Sequence, residues 1–205
     1  MKNLKIISIG LVLFCLTQTV KGQTDMGNIL IGGATNMNLS FMNSKWKTDD
    51  NNGDAGKATK LELTPQIGFF VSDGLAFGVE LPISYTKEED ELHDEYSTTS
   101  LAFVPFLRYY FGSGILKPYV HGGLGFGALS MKYEPDFGST ESMSAGMFLF
   151  EMGGGLNYFI KDNVALDFGL GYAYASAKPN ENNNVNYKNI TSGLGIEIGI
   201  TVMLD

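Results

Sequence analysis

Between Tyr96 and Met131 the chain holds two long arms that alternate with period two. The first runs Tyr-Ser-Thr-Thr-Ser-Leu-Ala-Phe-Val-Pro-Phe-Leu-Arg-Tyr-Tyr-Phe. Gly-Ser-Gly-Ile-Leu-Lys follows, then Pro-Tyr-Val-His-Gly-Gly-Leu-Gly-Phe-Gly-Ala-Leu-Ser-Met. Period-two alternation specifies strands, and a Gly-containing turn between two such runs specifies a hairpin. The arms outrun the ~5–6 residues usual for a strand of a globular domain. Long arms, aromatics at the turn end and a Gly-rich phase are properties of strands that cross a membrane.

The rest of the chain repeats this pattern. Eight strands are predicted, at 27–42, 58–71, 75–87, 97–112, 118–132, 144–160, 164–177 and 189–204. Short connections alternate with long ones. The short ones are Ser72-Asp73-Gly74, the turn from Gly112 to Lys117, and Lys161-Asp162-Asn163. The long ones are 43–57, 88–96, 133–143 and 178–188. An even strand count with short turns at one end and long loops at the other predicts an all-β fold. It is an eight-stranded antiparallel transmembrane β-barrel, an up-and-down meander with short turns in the periplasm and long loops outside the cell.

One phase of each strand is bulky and apolar, as in Leu101, Phe103, Leu107, Tyr109 and Phe111, or Ile196, Ile198, Ile200, Val202 and Leu204. The other phase holds every mid-strand charge and most of the glycines. A soluble lipocalin-like barrel would turn the apolar phase inward; a membrane barrel turns it outward. Three features favour the membrane barrel. A narrow interior needs the small residues of the Gly-rich phase. Aromatics (Phe69, Phe77, Tyr85, Tyr109, Phe111, Tyr158, Tyr172, Tyr174) cluster at strand ends as interfacial girdles do. The N-terminus also reads as an export signal.

That signal comprises a basic Met-Lys-Asn-Leu-Lys start, an apolar run from Ile6 to Thr17, and small residues before a cleavage point between Gly22 and Gln23. Its apolar run is shorter than the ~20 residues of a spanning helix. Cys15 does not mark a lipoprotein, because Phe14 precedes it where a small residue is needed. The predicted organisation is therefore a leader over 1–22 and a barrel over 23–205. Removing the leader takes away the single cysteine, and with it disulfide and thiolate chemistry. The net charge of −8 becomes more acidic on losing Lys2, Lys5 and Lys21, which argues against a nucleic-acid partner.

The hairpin Phe103-Val104-Pro105-Phe106-Leu107-Arg108-Tyr109-Tyr110-Phe111 with Pro118-Tyr119-Val120-His121-Gly122-Gly123-Leu124-Gly125-Phe126-Gly127 resembles the small outer-membrane β-barrel family of OmpA/OmpX type, often called porin-like. The C-terminal run resembles the signal read by the barrel-assembly machinery, with Glu197, Gly199, Val202 and Leu204 at its polar, glycine and hydrophobic positions. The family usually ends in an aromatic, where this chain has Leu204-Asp205. No peptidoglycan-binding domain follows the last strand, so cell-wall anchoring is not carried over. The resemblance implies an integral outer-membrane location among lipid and lipopolysaccharide, and no particular chemistry.

The inward phase supplies the candidate site: Lys60, Glu62, Gln66, Glu80, Arg108, His121, Glu151, Asp167 and Glu197. Folding the strands about their turns sets Arg108 opposite His121 and Gln66 opposite Glu80. An Arg108–Glu80 ion pair is expected, with His121 and Asp167 nearby. A hydrogen-bonded plug is the preferred reading and a gated path the alternative.

Other motifs give weaker signals. The acidic run Lys87 to Glu95 reads as a solvated loop before a cation or basic-partner site. The Asp49 to Asp54 stretch fails as a calcium loop, because Ala55 and Leu61 fall where Gly and an acid are needed. Asn180 to Asn186 reads as a flexible loop, and Trp46 as an interfacial anchor. No cofactor, metal or catalytic set is assigned. A lipid A-modifying enzyme needs a Ser/His pair at the membrane edge; His121 points inward, and His93 sits in an acidic loop tip. A non-enzymatic structural or surface-interaction role through the long loops leads. A narrow channel for small or hydrophobic solutes comes second, and a lipid A enzyme third.

Overall fold

Along one strand the two faces separate cleanly. Leu101, Phe103, Leu107 and Tyr109 are exposed, while Ala102, Val104, Phe106, Arg108 and Tyr110 are buried. The computed structural model describes residues 22–35, 40–47, 52–90, 94–180 and 188–205, with side chains described outside 34–58. Its strands are β1 (Ile29–Thr35), β2 (Ser40–Lys47), β3 (Asn52–Ser72), β4 (Leu75–Glu80), β5 (Ile83–Glu89), β6 (Glu95–Tyr110), β7 (Leu116–Glu134), β8 (Glu141–Lys161), β9 (Val164–Pro179) and β10 (Asn189–Leu204). All pairings are antiparallel.

Hydrogen bonds run through β1, β10, β9, β8, β7, β6, β4 and β3, and β1 returns to β3. The ring therefore closes through eight strands. The seam pairs Ile29–Thr35 with Leu204–Ile198. Closure leaves no open sheet edge around the ring, the condition for β-structure in lipid. The face pointing away from the ring is apolar: Phe69, Phe103, Leu107, Leu124, Phe126, Leu170, Ile196 and Ile200 are all exposed. A soluble barrel would have this face inside. Tyr109 and Phe111 stack edge-on near the short-turn end, with centroids 4.8 Å apart.

The predicted strand 75–87 is interrupted at Leu81-Pro82, giving β4 and β5. Pro82 has no N–H for the ladder. The breach is bridged on both sides, since Leu81 N donates to Pro65 O at 2.9 Å and Ala102 N donates to Pro82 O at 3.0 Å.

The long loops are shorter than predicted. β2 and β3 pair from Ser40 opposite Lys60 to Lys47 opposite Asn52, so strand fills most of 43–57. Strand pairing likewise extends into 88–96, 133–143 and 178–188, leaving 90–94, 135–140 and 180–188 as connections. Apolar alternation marks only the lipid-facing part of each strand. Above it the ladder continues on polar cross-strand pairs, such as Ser84 Oγ with Ser100 Oγ at 2.7 Å and Lys87 with Glu95 at 2.7 Å. Tyr96 and Tyr133 stack there with centroids 4.8 Å apart.

The lumen differs from the expected small-residue interior in one respect. Toward the short turns it is packed with Leu30, Phe70, Ala76, Phe106, Tyr110, Tyr119, Phe159, Ala165 and Met203. Glycines make the room. A Cβ on Gly155 would lie 2.6 Å from the Tyr119 ring, and one on Gly78 2.5 Å from Phe106 Cζ. The inward phase thus carries both the glycines and the aromatics that fill the space they leave.

Candidate functional site

Arg108 leaves β6 and crosses the lumen just above this aromatic floor. Its side chain is fully buried. Nη2 donates to Gln66 Oε1 on β3 at 3.0 Å, and Nη1 donates to Asp167 Oδ2 on β9 at 3.3 Å. Glu80 Oε1 on β4 lies 3.7 Å from Nη2, and His121 Nδ1 on β7 lies 3.5 Å away. The guanidinium rests over the Tyr119 ring, 4.6 Å from its centroid, and 5.5 Å from that of Phe106. One cation therefore ties strands from opposite walls of the barrel.

Backbone register puts these groups at one depth. Arg108 pairs with His121 across β6–β7, and Gln66 with Glu80 across β3–β4. Asp167 is held by more than its ion pair. Tyr119 Oη donates to its Oδ1 at 2.6 Å and Thr201 Oγ1 to its Oδ2 at 3.4 Å. A buried charge needs this kind of company, because desolvation costs several kcal/mol per ion otherwise.

The remaining sequence-derived residues divide into two groups. Glu151 sits beside His121, with its Oε1 3.9 Å from Nε2. Glu197 pairs with Gly169 across β9–β10 and is within electrostatic reach of Arg108 and Asp167. Lys60 and Glu62 do not join the cluster. They pair with each other at 2.8 Å nearer the loop end, both part-exposed.

Sequence reasoning missed Tyr119, Thr201, Lys117 and Asn157, all buried and in the inward phase. Tyr119, Asn157 and Thr201 share a strand phase with His121, Glu151 and Glu197, whereas Lys117 falls in the predicted turn from Gly112 to Lys117 and enters the lumen because β7 begins earlier, at Leu116. Lys117 is drawn inside, where its Nζ donates to Thr24 Oγ1 at 2.9 Å and stands 5.7 Å from the Phe159 ring centroid. Gln23 and Thr24 are buried at this short-turn end beside Gly22. The leader expected over 1–22 otherwise lies outside the described residues, as do His93 and the Trp46 side chain. Asn180, at the start of the Asn-rich loop, is tied down, accepting from Gly146 N at 3.1 Å.

The C-terminal residues Glu197, Gly199, Val202 and Leu204 lie on β10, the strand that closes the ring against β1.

A closed eight-stranded ring, bare and apolar outside and enclosing a buried ion-paired layer, is a membrane-spanning β-barrel. The chain belongs to the family of outer membrane protein beta-barrel domains, whose profile matches residues 8–200. It is an integral outer-membrane protein of this class.

Similar solved structures are outer-membrane proteins. Neisserial surface protein A is 18% identical, with 85% of this chain and 95% of that one covered and a TM-score of 0.42. OprG from Pseudomonas aeruginosa is 17% identical, with 88% and 97% covered and a TM-score of 0.44. A major outer membrane protein from Thermus thermophilus is 11% identical, with 87% and 98% covered and a TM-score of 0.48. A comparison with curated proteins gave no match.

Proposed function

We propose that this protein is a sealed, non-enzymatic barrel that presents its extended loop-side strands to lipopolysaccharide or to molecules outside the cell. The termini and short turns face the periplasm. The C-terminal strand, through Glu197, Gly199, Val202 and Leu204, is what the barrel-assembly machinery engages. The observation that carries the sealed reading is the Arg108 clasp, in which one buried side chain reaches Gln66 and Asp167 on different walls. Beneath it the lumen is filled by Phe70, Tyr110, Tyr119 and Phe159. Above the lipid-facing zone, β6 and β7 remain paired as far as Glu95 opposite Glu134, which gives the outer surface a firm platform.

Reconstitution in liposomes tests this. The sealed barrel retains small ions and sugars, and selective leakage by the wild type would transfer the function to a channel. Mass spectrometry of lipid A from expressing cells tests the enzyme reading; unchanged lipid A is expected.

A further inference from the structure

On the loop side of Arg108 the lumen holds a second arrangement that the clasp does not use. His121 lies between two carboxylates, with Nδ1 3.9 Å from Glu80 Oε1 and Nε2 3.9 Å from Glu151 Oε1. One ligand atom from each of Glu80, His121 and Glu151 can be chosen so that all lie within 4.8 Å of one another. None of these approaches is a hydrogen bond. Glu80 is 3% exposed, and its Oε1 has no hydrogen-bond partner among the described residues; nor has the buried Oε1 of Glu151. Buried acceptors of this kind ordinarily find a donor or a cation. Arg108 Nη2, at 3.7 Å from Glu80, is beyond hydrogen-bonding reach and is already bound to Gln66.

Charge points the same way. At this depth, among the described residues, Glu80, Glu151, Asp167 and Glu197 face one guanidinium. Asp167 is satisfied by Arg108, Tyr119 and Thr201. The surplus negative charge is therefore concentrated on the Glu80–Glu151 side.

We infer that Glu80, His121 and Glu151 form a binding site for a divalent transition-metal ion. One imidazole and two carboxylates suit the borderline ions from Mn²⁺ to Zn²⁺, whereas Ca²⁺ and Mg²⁺ prefer all-oxygen sets. The ligands stand on three different strands, β4, β7 and β8, so the barrel wall preorganises them. Three protein ligands leave further positions for water. The aromatic floor closes the periplasmic side. The loop side is lined by Lys60, Glu62, Ser84 and Ser100, a polar approach for a hydrated ion from outside. The site goes beyond the proposed surface role and does not depend on it.

The test uses the outer-membrane protein purified in detergent. Zn²⁺ binding is followed by calorimetry, and Co²⁺ binding by its visible d–d absorption. One Zn²⁺ per chain is expected, with a Co²⁺ spectrum of a nitrogen–oxygen site. Glu151→Gln, the least buried ligand change, and His121→Gln should each weaken Zn²⁺ binding by about ten-fold or more. A Glu88→Gln/Glu89→Gln variant at the loop-side end of β5 should bind as the wild type does. Heat-dependent gel migration reports that each variant remains a folded barrel. The inference is overturned if the folded wild type takes up no Zn²⁺. It is equally overturned if binding survives Glu151→Gln and His121→Gln, or is lost with the Glu88→Gln/Glu89→Gln variant alone.

Discussion

At the scale of single residues, the lumen is held by a few side chains that have no substitute. Arg108→Ala leaves Asp167 and Glu80 buried with their cation removed. Breaking a buried pair from one side costs about 3–5 kcal/mol, so urea unfolding of this variant should shift by that amount. Asp167→Asn keeps the shape and an acceptor for the Tyr119 hydroxyl, and should cost less than Arg108→Ala in the same assay. Gly155→Val tests the packing beneath. A Cβ there would meet Phe168 O at 2.3 Å and the Tyr119 ring at 2.6 Å, and neither can retreat into a filled lumen. Overpacking of this kind costs about 1–3 kcal/mol or more, and equilibrium unfolding measures it. Much of this site was legible in the sequence. Strand phase and turn position alone place Arg108 opposite His121 and Gln66 opposite Glu80. What phase could not convey is reach across the lumen, because the Arg108–Asp167 and Tyr119–Asp167 contacts join strands that are not neighbours.

At the scale of elements, apolar alternation located the strands but not their ends. It records contact with lipid, and the ladder outlasts that contact on polar pairs. Pro82 shows a second limit: a missing N–H breaks β4 from β5 although the side-chain pattern runs straight through. The lipid-facing part makes its own prediction. Leu107 is outward and half exposed beside Arg108 in sequence, at the depth of the clasp. Leu107→Arg should destabilise the barrel in vesicles by about 2–4 kcal/mol, the cost of a lipid-facing cation near the midplane.

The strand extensions carry a pH-dependent clasp. Asp94 accepts from Asp136 N at 3.0 Å and from Tyr133 Oη at 2.8 Å. These bonds hold its carboxyl below the usual carboxylate range, the Asp136 amide first and the Tyr133 hydroxyl second. A carboxyl lowered on folding stabilises the clasp above its unfolded pKa of about 3.9 and loses that contribution as pH falls through the folded value. The same bond pushes the Tyr133 phenol up to about 12. Its contribution declines as pH rises from about 10, the unfolded value, toward that figure. Hydrogen exchange at the Asp136 amide should therefore be slowest between these limits, relative to intrinsic rates, and accelerate in acid. In Asp94→Asn the acid limb should vanish.

At the scale of the whole molecule, the closed ring and the filled lumen act together as two barriers in series. The first is the polar layer, where Arg108 joins β3 and β9 across the interior. The second is the apolar floor of Leu30, Phe70, Tyr110, Tyr119, Phe159 and Met203 toward the short turns. They resist ions differently. The polar layer stretches Arg108 across the interior between Gln66 and Asp167, and the floor offers a desolvated passage that an ion enters only at a cost of several kcal/mol. Barriers in series are not relieved by opening one of them. Arg108→Ala alone should consequently leave planar-bilayer conductance near background, although it weakens the fold. Phe70→Ala with Tyr110→Ala should do the same, because the clasp above stays shut. Conductance should appear when Arg108→Ala is combined with both aromatic truncations, with far-UV circular dichroism reporting that the ring persists. Conductance already present in Arg108→Ala would show that the floor does not seal. Silence in a folded triple variant would place a further barrier among the loop-side strands.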